Sequence, residues 1–146
     1  MKTEHLPVDP ELRTRLVDHT YGIVGCIHYV YETLGCGLPE YVYQEALAKY
    51  LSFQGFTIHK EYIHHPIFMG EELESYIKMD LVVDMPNGNV IIECKAISRL
   101  TPKEQYQIFG YLRGTGFPIA LLVNFGTYPK AEIQRYFYKE GLIRAF

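Results

Sequence analysis

Asp80–Ile97 reads DLVVDMPNGNVIIECKAI, two apolar runs joined by Pro86-Asn87-Gly88-Asn89. Asn-Gly between apolar runs is a strong short-range hairpin signal, and a two-residue type I′ loop at Asn87-Gly88 sets Pro86 against Asn89. Counting outward, Val82 faces Glu93 and Asp80 faces Lys95. Side chains alternate along a strand with period two, so this register predicts Asp80, Glu93 and Lys95 on one face and Cys94 on the opposite, buried one. Asp84 shares the face of Asp80 but sits beside the turn, where acidic residues are common; Asp80 is preferred.

Two carboxylates and a lysine converging in this way can share a hard divalent cation, with magnesium keeping several waters beside one or two carboxylates. Lys95 can then orient a water or help to deprotonate it. The set suits phosphodiester hydrolysis, in which the metal neutralises charge on the phosphoryl oxygens and generates the nucleophile near neutral pH. Without a cation, ionised Asp80 and Glu93 repel. The plainer reading of the same residues is a cross-strand Asp80–Lys95 ion pair of about 0.2–1 kcal/mol, with Glu93 facing water.

Outward from this hairpin, Leu12, Leu16, Ile23, Val24, Ile27, Val30 and Tyr31 recur at helical spacing and predict an amphipathic helix from Pro10 to about Leu34, stopped by Gly35 and Gly37. A second helix is expected from Pro39 to Gly55, with Tyr43, Leu47, Tyr50 and Leu51 on its inner face. FTIHKEYIHHPIFM, a turn at Gly70-Glu71-Glu72, SYIKMDLVVDM and VIIECKAI read as three antiparallel strands. Thr101-Pro102-Lys103-Glu104 is a capping box opening a third helix to about Arg113. PIALLVNF is apolar throughout, as in a strand covered on both faces. The tail AEIQRYFYKEGLIRAF fits either an edge strand or a short helix. The expected order is ααβββαβ plus that tail: an α/β fold with a small mixed β-sheet flanked by helices.

The chain has 146 residues, 48% hydrophobic and 21% charged, with no linker or repeat, which predicts a single domain over 1–146. No apolar run reaches the roughly 20 residues that cross a bilayer, and MKTEHLPVDPELRTRL lacks a signal-peptide h-region, so no membrane association and a cytoplasmic location are expected. Cys26, Cys36 and Cys94 match neither a disulfide framework nor a metal knuckle. His64 and His65 point to opposite faces of a strand, which with His59 makes a histidine metal site unexpected. The net charge of −3 gives no overall basic field, although Lys60, Lys78, Arg99, Lys103 and Arg113 can form a local one. Thirteen tyrosines can pack, hydrogen-bond or stack on bases, and their number does not choose among these.

DLVVD followed by IIECKA resembles the D…(D/E)xK core of the PD-(D/E)XK nuclease superfamily, and the element order is similar to its common core. LGCGLPEYVYQEAL resembles the signature of the bacterial GxxExxY proteins, here Gly37, Glu40 and Tyr43, and ECKAISRLTPKEQYQIFGYLRGTG and LLVNFG resemble later elements of that family. The resemblance covers roughly Ile23 to Arg135. It implies a nuclease dependent on Mg2+ or Mn2+, with Asp80 and Glu93 as metal ligands, Lys95 as the catalytic lysine, and Glu40 as a third ligand or a ligand to a second ion. Gln107 and Tyr111 match the QxxxY element of RecB-type exonucleases, and their i, i+4 spacing puts them on one helix face. The plainer alternatives are that Tyr111 packs in the core, Gln107 fills a polar gap and Glu40 favours the positive end of a helix dipole. Gly37 is expected to supply a backbone conformation that alanine could not, and Tyr43 to support Glu40 or pack. The four cysteines of the iron–sulfur relatives are missing, so no iron–sulfur cluster is expected, and Met79 stands where the superfamily's proline would precede Asp80. The implied partner is nucleic acid, DNA before RNA. The rival reading is a catalytically inactive nuclease-fold module that binds a protein or nucleic-acid partner, and a third is a subunit whose DNA surface a homodimer or partner protein completes.

Overall fold

A computed structural model describes residues 7–146; the N-terminal reading above falls in part on residues 1–6, outside the described residues. Helix α1, Pro10–Leu34, starts where Asp9 accepts the Leu12 N–H at 3.0 Å and Pro10 takes the first turn. Helix α2, Glu40–Phe53, follows Pro39 and buries Tyr43, Leu47, Ala48 and Leu51, while Tyr50 is half-buried against Tyr29. Strand β1, Thr57–His64, leads into a small hairpin of β2, Ile67–Phe68, and β3, Glu71–Glu72. Its turn is Met69-Gly70, both at positive φ, so Glu71 and Glu72 are paired residues rather than the turn expected there. Strands β4, Ile77–Asp84, and β5, Val90–Lys95, follow; the capping box opens α3, Pro102–Thr115, which crosses to β6, Ile119–Asn124. The undecided tail is a hairpin, β7, Glu132–Lys139, and β8, Leu142–Ala145, turning at Glu140-Gly141.

The main sheet has the order β1-β4-β5-β6-β7-β8, antiparallel except for β5 and β6, which the α3 crossover makes parallel. The chain is therefore mixed α/β, as expected. One layer of core, with Ile23, Ile27, Leu47, Leu81, Val83, Ile92 and Cys94, lies under α1 and α2. The other, with Met79, Val82, Ile91, Ile108 and Leu112, lies under α3. Strand β6 is buried along its whole length between β5 and β7. Among the described residues no helix is long and apolar enough to cross a membrane.

The β4–β5 turn corrects the expected register. The Gly88 N–H donates to Met85 O at 3.1 Å, so Pro86 and Asn87 are the central residues of a turn from Met85 to Gly88. Proline, fixed near φ −65°, prefers the first central position and glycine the last, which displaces Asn-Gly from the two-residue loop. The ladder pairs Leu81 with Ile92, Val82 with Ile91 and Val83 with Val90, two residues away from the expectation. A shift of two preserves facing but changes partners: Asp80, not Val82, stands across from Glu93.

Candidate active site

The β4–β5 ladder ends at Leu81–Ile92, although both strands run on. Beyond that point β4 is paired only with β1, down to His64–Ile77, and β5 only with β6, down to Lys95–Asn124. The sheet thus forks into a β1–β4 arm and a β5–β6 arm. At the crotch the two missing ladder bonds are replaced by side chains: the Asp80 N–H donates to Glu93 Oε1 at 3.2 Å, and Asp80 Oδ2 accepts the Cys94 N–H at 2.9 Å.

The alternation of side chains inverts at the same place. Leu81 and Val83 pack under α1 and α2, yet Met79 joins Val82 under α3. On β1, Ile58 belongs to the first layer and Tyr62 to the second. The break coincides with Glu61, whose φ is 50°, and the β1–β4 pairing skips Glu61 and Asp80. A non-glycine residue at positive φ is strained, and such strain clusters at functional sites. Burial is what chiefly raises the pKa of Asp80, and the nearby Glu61 carboxylate adds a lesser push in the same direction.

From the β5 arm, Lys95 Nζ donates to Gln107 Oε1 at 2.7 Å and lies 3.5 Å from Glu93 Oε2. Its firm bond is to Gln107. Gln107 Nε2 in turn donates to the Tyr111 hydroxyl at 3.0 Å. One turn apart on α3, the two side chains line up behind Lys95. From α2, Gln44 Nε2 donates to Asp80 O at 3.3 Å, and Glu40, one turn earlier, senses the charges of Lys95 and Asp80. Tyr43 steadies that entrance to α2: its hydroxyl donates to Gly35 O and accepts the Leu38 N–H, while its buried ring stacks on Phe125 at 4.5 Å. Gly37, between them, has φ 106°, which a side chain would strain.

All six predicted residues, Glu40, Asp80, Glu93, Lys95, Gln107 and Tyr111, therefore converge on the fork from the two helices α2 and α3 and the two strands β4 and β5. Asp84 does not join them; its carboxylate contacts His59 Nε2 at 3.0 Å on β1. Of the basic residues, Lys60 and Lys78 lie on the β1–β4 arm, and Arg99 and Lys103 follow Lys95. Arg113, near the far end of α3, donates to Gly141 O. Cys94 is buried on the side opposite Glu93, and burial pushes its thiol well up. A surface cavity of about 490 Å³ lined by His28, Tyr128, Lys130 and Arg135 contains none of the six.

Charge at the fork is unbalanced. Burial, and then the charge of Asp80, push Glu93 up to about 7; burial also raises Asp80. Burial raises Glu40, with Lys95 opposing. Tyr111 is pushed up to about 12 by burial and by Glu93 and Asp80. A buried and a half-buried carboxylate with one lysine nearby lack positive charge, and their hard oxygen donors fit Mg2+ or Mn2+, which take one or two carboxylates and complete their shell with water. Among the described residues no three or more His, Cys, Asp or Glu are gathered as a metal-holding group; Asp80 and Glu93 are the two carboxylates joined across the fork.

Two contributors were missed in the sequence. Glu61 carries no motif, and only its backbone reveals it. Asn124, fully buried at the end of β6, bonds both sides of Ile97: Nδ2 donates to Ile97 O at 2.9 Å and Oδ1 accepts the Ile97 N–H at 3.0 Å. That latch holds the loop running from Lys95 to α3. An asparagine ending an apolar strand was its one available signal.

A sequence profile of the PD-(D/E)XK nuclease superfamily matches residues 17–136. The crystal structure of SSO0001 is similar in fold, with a TM-score of 0.50 and 16% identity over 84% of this chain and 60% of that one. The chain thus spans less than two thirds of that protein's length. No curated protein matches it.

Proposed function

The chain belongs to the PD-(D/E)XK nuclease superfamily, and from that premise we propose that it hydrolyses phosphodiester bonds of nucleic acid, DNA in particular, with Mg2+ or Mn2+ held by Asp80 and Glu93. The observation that carries this reading is the fork, where a buried Glu93 and a half-buried Asp80 face each other across parted strands with Lys95 beside them. Gly37, Glu40 and Tyr43 keep the spacing of GxxExxY proteins, and Gln107 and Tyr111 that of the QxxxY element, which supports the same assignment.

A divalent cation bound there supplies charge neutralisation at the phosphoryl oxygens and an acidified water. The remaining work belongs to side chains. Lys95 donates to a phosphoryl oxygen or aligns the attacking water, placing its charge where negative charge grows in the transition state. Gln107 holds the ammonium in position, and Tyr111, which stays protonated at neutral pH, accepts from the Gln107 amide and so keeps its oxygen turned towards Lys95. Glu40, near enough to feel the charges of Lys95 and Asp80, would accept hydrogen bonds from water around a bound ion.

The test is cleavage of mixed single- and double-stranded DNA and RNA with Mg2+ or Mn2+. Wild type is expected to cut, Lys95→Gln to lose about 10²–10³-fold in rate, and Gln107→Leu to lose less. A folded wild type that cuts nothing with either ion refutes the reading.

A further inference from the structure

Lys60 and Lys78 are both exposed on the β1–β4 arm, and neither makes an ion pair among the described residues. Lys60 pairs with Leu81, next to Asp80; Lys78 lies two residues from Asp80 on the other side. Because Ile77 and Met79 pack under α3, alternation turns Lys78 to the opposite face, the one α2 overlooks. Lys60 lies on that face too: it lines a groove of about 230 Å³ with Tyr41, Gln44, Glu45 and Glu61. An exposed ring lies near each lysine, Tyr41 in the groove with Lys60 and Tyr76 two residues before Lys78. Tyr41, beside Glu40, is 72% exposed, and Tyr76, just before β4, is 58% exposed. Tyr76 is braced edge-on by His65 at 5.7 Å.

Building on the nuclease reading, we propose that this face of the β1–β4 arm is the path by which an unpaired nucleic-acid strand reaches Asp80 and Glu93, its phosphates on Lys60 and Lys78 and its bases on Tyr41 and Tyr76. Duplex DNA presents a charge every ~1.7 Å of axis and needs a broad basic field. This chain carries −3 overall and offers on this face only two lysines, Lys60 with Glu45 and Glu61 beside it. A single strand matches that pair, since its phosphates are fewer along the path and its unstacked bases offer faces to the tyrosines, which a paired base inside a helix does not. Lys60 and Lys78 flank Asp80 along the β1–β4 arm, so a strand held on both passes over the fork.

The experiment is fluorescence anisotropy with labelled oligo-dT and a blunt duplex of equal length, using the full chain in EDTA so that binding is read without cutting. Oligo-dT is expected to bind at least about tenfold more tightly than duplex. Lys60→Gln with Lys78→Gln should weaken oligo-dT binding and flatten its log K against log salt slope by about 1.4. Tyr41→Leu and Tyr76→Leu should each weaken it about tenfold, while Lys139→Gln at the far edge changes nothing. Equal or tighter duplex binding, or track variants that bind oligo-dT like wild type, overturns the proposal. The nuclease reading fails separately: specific oligo-dT binding along the track without cleavage by any metal leaves the track standing and removes the enzyme, and cleavage that is indifferent to the track variants does the reverse.

Discussion

Asp80 and Glu93 hold the sheet open by trading places with its hydrogen bonds: the Glu93 carboxylate takes the Asp80 N–H, and the Asp80 carboxylate takes the Cys94 N–H. The same atoms that can bind a cation therefore also satisfy two buried backbone donors. Shape and charge can be separated by substitution. Asp80→Ala leaves the Cys94 N–H without its partner and should cost roughly 1–3 kcal/mol in urea denaturation, whereas Asp80→Asn, which keeps an acceptor oxygen, should cost little. Equal losses in the two variants would show that the bond to Cys94 contributes nothing.

The stability of the protein in EDTA should fall with rising pH. Glu93 has its pKa raised from 4.5 to about 7 by burial and by Asp80. A raised carboxyl keeps its proton longer in the native state than in the unfolded chain, so stability declines from about pH 4.5 upwards and levels off above about 7, by roughly 1–3 kcal/mol. Asp80 shifts the same way. Denaturation midpoints at pH 5 and pH 8 check this: wild type should lose stability between them and Glu93→Gln should lose less. A variant whose pH dependence matches wild type contradicts the assignment.

Glu61 should be a liability to the fold. Its φ of 50° costs a residue with a side chain about 1 kcal/mol that glycine avoids. Glu61→Gly is expected to raise the melting temperature, and Glu61→Ala, which removes only the carboxylate, is expected to raise it less. If alanine stabilises as much as glycine, charge near Asp80 and not backbone strain is the cause.

Asn124, paired with Lys95 at the end of β6, should matter to the site through the loop it holds. Asn124→Ala strips both bonds from Ile97 and is expected to cost roughly 2–4 kcal/mol. Gly126→Ala attacks the same junction sterically, because a Cβ there would lie 2.2 Å from Ile97 O. Both variants should accelerate hydrogen exchange in residues 96–101 before the rest of the sheet; protection unchanged in that loop would deny the latch.

The helices were legible because their signals are local. The Thr101–Glu104 capping box and the apolar spacing of α1 each act within a turn or two of chain. The gathering of Asp80, Glu93 and Lys95 was legible for a subtler reason: the register error was two residues, and facing has that same period. What stayed hidden depends on contacts distant in sequence. The fork arises because β4 and β5 keep different outer neighbours, the inversion at Glu61 is a backbone event without a motif, and Asn124 acquires its role only when β6 lies beside Ile97. Pro86 takes the first central position of the observed turn, which competes with the two-residue loop that Asn-Gly alone suggests.

The central claim is that Asp80 and Glu93 together hold a divalent cation at the fork. Calorimetric titration of Mn2+ into wild type, Asp80→Asn and Glu93→Gln tests it most directly, because each amide keeps an oxygen while removing the charge. The account predicts one strong site in wild type that weakens at least tenfold in either variant, with all three proteins folded. Undiminished binding in both variants, or no binding in wild type, would contradict it.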